Sequence, residues 1–115
     1  SSDLNIPFFP SIHNIGMNSE TVEAFGKFTG RDFAYGEYLF LMRSLATKLF
    51  NLPDENRKKI ESALPKKPTV DQLKTAIEGY KKEFGENFSE DVIDQLILIM
   101  KKAPGVVLHF GCFAY

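Results

Sequence analysis

The sequence predicts an all-α protein, and three observations lead there. Apolar residues recur at spacings of three and four in almost every segment, the period of a helix with one buried face. Capping residues stand ahead of those segments, and glycine or proline stands behind them. Only Val106-Val107-Leu108 reads as a short extended stretch.

Asn18 or Ser19 caps a first helix in which Val22, Phe25 and Phe28 lie three apart, with Gly30 as its stop. Asp32 opens a longer helix through Tyr38, Leu41, Leu45 and Leu49, its stripe widened by Phe40, Met42 and Leu52, and Pro53 ends it. Asp54 to Glu61 is a new helix with acids in its first turn and bases further along, matching the helix dipole, until Pro65 and Pro68 break the chain. Thr69 and Gln72 form a capping-box pattern ahead of the apolar face Val70, Leu73, Ile77, Tyr80 and Phe84, which Gly85 terminates. Ser89 is expected to cap the last helix, with Phe88 stapled onto Ile93 and a face of Ile93, Leu96, Ile97 and Met100. Pro104-Gly105 stops it, and the extended stretch leads to Phe110, Phe113 and Tyr115.

At 115 residues, 43% hydrophobic and 25% charged, the chain fits one globular domain or two small lobes and excludes wholesale disorder. Fourteen bases against 15 acids leave a charge of −1 with the signs interleaved, which argues against a nucleic-acid binder. The apolar runs are cut by Arg43 and Lys101, so no membrane span is expected. The lone Cys112 excludes an internal disulfide, and with no secretory pattern in residues 1–16 the expected location is cytoplasmic.

Phe33-Ala34-Tyr35-Gly36-Glu37-Tyr38 and Leu108-His109-Phe110-Gly111-Cys112-Phe113 share one pattern: apolar, any, aromatic, glycine, any, aromatic. In each copy the first residue is expected to pair as a tiny strand and the second aromatic to begin a helix, the outline of an EF-hand. With its flanks, the chain resembles the calmodulin superfamily, and within it the myosin light chains most. Asp32 to Met42 looks like the end of a second hand, with Glu37 last in the loop. Ile12 to Val22 looks like a helix, glycine linker and capped helix. Thr69 to Leu73 resembles the start of an exiting helix, and Gly85 to Ile97 the linker and entering helix of a fourth hand. The resemblance implies paired EF-hand-like helix-loop-helix lobes with very short β-bridges between loops, one lobe over 1–52 without its first helix and one over 53–115 with its last helix cut short. The span from Leu73 to Ser89 is about one turn longer than the family pattern.

The loops depart from the cation pattern of oxygen ligands at positions 1, 3, 5, 7, 9 and 12 with glycine at 6. The second loop offers Gly26, Phe28, Gly30, Asp32, Ala34 and Glu37, with Arg31 where glycine belongs. The third offers Glu61, Ala63, Pro65, Lys67, Thr69 and Gln72, and the fourth Lys101, Ala103, Gly105, Val107, His109 and Cys112. None suits calcium, so no metal and no cofactor are expected.

What the resemblance then implies is a calcium-independent light chain clasping the amphipathic IQ-type helix of a myosin heavy chain or similar target, beside the cytoskeleton and without catalysis. Leu41, Met42, Leu45 and Leu49 on one helix and Leu96, Ile97 and Met100 on another are the candidate partner-binding trough, and the same side chains also fit a lobe interior. An alternative is a small helical carrier in which 11 Phe and 4 Tyr line a cavity for a hydrophobic ligand. His109 and Cys112 lack a third orienting group for nucleophilic catalysis and read as packing residues, and His13, alone amid Ile12 and Ile15, reads as a core or surface residue and not a metal ligand. Asn87-Phe88-Ser89 matches a glycosylation acceptor but reads as a loop and cap, and the paired lysines read as solvated faces.

Overall fold

A computed structural model describes residues 11–110, which form β1 (Ser11–Ile15), α1 (Ser19–Thr29), α2 (Arg31–Lys48), α3 (Asp54–Glu61), α4 (Val70–Phe84), a 3-10 turn (Gly85–Asn87), α5 (Val92–Lys102) and β2 (Val107–Phe110). The described chain is mostly helical, and its two strands form one small parallel sheet. Gly111, Cys112, Phe113 and Tyr115 lie outside the described residues.

α2 is the centre of the fold. Ala34, Tyr38, Leu39, Leu41, Met42, Leu45 and Ala46 are buried around most of its circumference, as expected of a helix packed on several sides. It lies against α1, α4 and β1, while α3 rests on α4. Ile12, Ile15 and Met17 from the N-terminal side, Leu73, Ile77, Tyr80 and Phe84 from α4 and Ile99 from α5 join it in one hydrophobic core. Phe50 stacks on Phe84 with centroids 4.2 Å apart, so the core runs across the 52/53 boundary.

Local chemistry sets the helix ends. The Asn18 side chain accepts from the backbone of Glu20 and Thr21, and Thr21 Oγ1 accepts from the Asn18 N–H at 2.8 Å. Thr69 and Gln72 close the second capping box as expected. Gly30, at φ 95° and ψ 141°, ends α1 and starts α2 within one residue, a backbone conformation that side-chain-bearing residues avoid.

Several expectations are corrected. Ile12 to Ile15 is strand, not helix: a register shift between Ile12 and Ile15, with Asn14 at φ 65°, turns both isoleucines into the core although they are three apart. Phe33 is helical, not a strand residue, and the positions counted as a second cation loop lie in α1, Gly30 and α2. Leu108 does pair, with Ile12 and in parallel. The last helix is capped by Asp91, not Ser89, and Phe88 packs on Phe84 at 5.6 Å while Ile93 is left 62% exposed.

Candidate functional site

α5 is a shallowly seated helix. Only Gln95 and Ile99 of it are buried, with Leu96 and Leu98 half-buried beside them. Two residues along a helix turn the side chain by about 200°, so Ile93, Ile97 and Met100 emerge opposite that anchored edge, exposed by 62%, 46% and 65%. Beyond them a cavity of about 190 Å³ is walled by Ile99, Met100, Ala103, Pro104, Val106 and Leu108. Asp91 and Asp94 mark the acidic end of this face and Lys101 and Lys102 the basic end, both exposed.

The expected trough divides accordingly. Leu41, Met42, Leu45 and Leu49 are inside the core, at 0–5% exposure. Leu96 is half-buried against that core, and Ile97 and Met100 reach the surface. The structure does not bring the two groups into one open groove. The periodicity of α5 marked an apolar helix, but not which of its two apolar faces turns inward.

A polar cleft that sequence reasoning missed lies between α1, α2 and α4. Ser19, Glu23, Tyr35, Tyr38, Lys74, Ile77, Glu78 and Lys81 line about 320 Å³. At its end Glu90 Oε1 accepts from the Ser19 N–H at 2.8 Å, the Ser19 hydroxyl at 2.6 Å, the Tyr38 hydroxyl at 2.9 Å and Lys81 Nζ at 3.2 Å. Burial alone would raise the Glu90 carboxyl, but the two Ser19 donors, Tyr38 and Lys81 outweigh it and pull it down to about 2. Burial, reinforced by the Glu90 carboxylate, pushes the Tyr38 hydroxyl up to about 12. Burial would lower Lys81, yet Tyr38, Glu78 and Glu90 around it hold the ammonium protonated above the usual lysine range.

That protonation decides the chemistry. Lys81 Nζ is 3.3 Å from Ser19 Oγ, the spacing of a serine–lysine pair, but a lysine held as ammonium does not take a proton from the hydroxyl. The arrangement acts as a clamp joining the loop ahead of α5 to three helices, and Asn18 Nδ2 adds a bond to the Glu90 carbonyl at 3.0 Å.

A second cluster joins α2, α3 and α4. Arg43 grips Glu61 with Nε to Oε2 at 2.8 Å and Nη2 to Oε1 at 2.6 Å, and Tyr80 donates its hydroxyl to the same carboxylate. Burial would raise Glu61, and the Arg43 and Tyr80 donors bring its carboxyl below the usual range. A cavity of about 400 Å³ beside it is lined by Arg43, Asp54, Arg57, Lys58 and Glu61, whose charges largely cancel.

Among the described residues no group of three His, Cys, Asp or Glu is placed to hold a metal, and no helix is long and apolar enough to cross a membrane. His13 stacks on Phe40 and on His109, with centroids 5.6 and 4.1 Å away. Comparison with protein-family models, curated proteins and solved structures finds no match to the chain.

Proposed function

We propose that the chain is a calcium-independent, light-chain-like helix-binding protein, holding an amphipathic IQ-type helix of a myosin heavy chain or similar target on the outward face of α5. The observation that carries the helix-binding part is the run of Ile93, Ile97 and Met100 at helical spacing, continuous with the apolar cavity at Met100. The light-chain part rests on the sequence resemblance, as does a place in the cytoplasm beside the cytoskeleton. A basic target helix would set its most positive end against Asp91 and Asp94, and apolar burial would supply most of the affinity. No cofactor and no catalytic step enter this reading.

The carrier alternative has less support. The cavity at α5, about 190 Å³, and another of about 220 Å³ between α3 and α4 are smaller than the roughly 300–1,000 Å³ of typical ligand pockets, and those of about 320 and 400 Å³ described above are lined largely by charged or polar side chains.

Calorimetric titration with a synthetic IQ-type peptide tests the proposal. Expected is one-to-one binding in about the micromolar range, unchanged by calcium or chelator and lost in the double variant Ile97→Asp, Met100→Asp. Binding that survives in that variant, or none at all to the wild type, overturns it.

A further inference from the structure

We propose that the stacked imidazoles of His13 and His109 form an acid-released latch holding β2 against β1. Beyond its ladder to β1, β2 is held by few buried side chains: of its four residues only Leu108 is shielded, and Val107 and Phe110 are 41% and 58% exposed. Ile12 pairs with Leu108, the pairing then shifts before Ile15 meets Phe110, and the rings of His13 and His109 face each other at that irregularity. Their rings lie 4.1 Å apart and within 10° of parallel, with Phe40 of α2 on His13 as well.

One proton on this pair is tolerated, because an imidazolium over a neutral ring is still attracted to it. A second sets two like charges about 4 Å apart on facing strands. The groups facing His13 tilt the balance the same way. α2 contributes Lys48, whose ammonium donates to the Ser11 carbonyl, and Glu37 as the single opposing charge; β1 itself contributes the neutral Ser11 hydroxyl, 3.3 Å from Nε2. Burial first, then His109 and Lys48, lower His13 below the ordinary imidazole value, and Glu37 only partly offsets them. Folding of β2 onto β1 therefore excludes protons, and the closed form weakens as pH falls through the histidine range. Val106 and Leu108 also wall the cavity beside Met100, so release would alter that cavity; this last consequence alone rests on the helix-docking reading.

Amide hydrogen exchange on the free full chain, followed from pH 7.5 to 5.0 at constant ionic strength, tests the latch. Protection of β2 is expected to fall severalfold while α2 and α4 keep theirs, the ceiling being about tenfold per pH unit for each proton excluded. His109→Phe keeps a ring in the stack without a titrating nitrogen and is expected to lose less protection at pH 5.0 than the wild type, because burial and Lys48 still act on His13; His13→Phe removes the buried imidazole and is expected to stay protected. Unchanged protection in the wild type overturns the latch, as does an acid loss equal to the wild type's in either phenylalanine variant. Peptide binding plays no part in this readout, so its outcome is separate from that of the helix-docking test.

Discussion

Glu90 gathers hydrogen bonds from residues 9 to 71 positions away, on α1, α2 and α4, through one carboxylate oxygen. Its replacement in Glu90→Gln is expected to cost about 1–2 kcal/mol in urea unfolding at pH 7, toward the low end for charged hydrogen bonds because the side chain stays 43% exposed to screening water. The sign with pH follows from the lowered carboxyl. Its contribution is complete above about 4.5 and fades as pH falls toward about 2, with Glu23 and Glu61 acting in the same direction. The acid limb of stability against pH should be shallower in the variant; equal limbs would show that the clamp is idle. Nothing in the sequence marks Glu90, because what singles it out is the convergence of distant donors. Gly30 is different: its place between two helical runs is legible, and its φ of 95° makes the reason physical. Gly30→Ala is expected to lose about 1–3 kcal/mol, read as a lowered thermal midpoint.

Helices were legible where side chains speak to their own backbone. The Thr69/Gln72 box, the Pro53 restart and the Gly30 stop depend on neighbours within four residues, so pattern alone finds them. β1 was not legible, because Ile12 and Ile15 have helical spacing and only the irregularity at Asn14 brings both inward. α5 was legible as a helix but not in its orientation, since it has apolar side chains on both edges and its anchored side holds Gln95, bonded to the Ser89 carbonyl at 3.1 Å. Its shallow seating predicts that α5 amides exchange faster than those of α2 and α4 at pH 7. Ile97→Asp should leave stability within about 0.5 kcal/mol, because the side chain faces water. Leu45→Ala, at 2% exposure in the core, should cost about 2–5 kcal/mol in the same unfolding assay.

For the molecule as a whole, the reading of two lobes meets a core that takes residues from both 1–52 and 53–115. Length and composition allow either arrangement, and helix periodicity says which face is apolar without saying which helix covers it. The α2–α4 contact and the Phe50–Phe84 stack predict one cooperative transition, with circular dichroism and tyrosine fluorescence unfolding together. Separate midpoints would point to independent lobes.

The parallel sheet has a consequence in time. Its partners, Ser11 with Val107 and Ile12 with Leu108, stand at opposite ends of the described sequence, so the pairing closes a long loop and is expected late in folding. Ile12 belongs to the core, but the outer strand is expected to dock last and peel first, so substitutions at Val107 or Phe110 should speed unfolding while leaving the refolding rate nearly untouched.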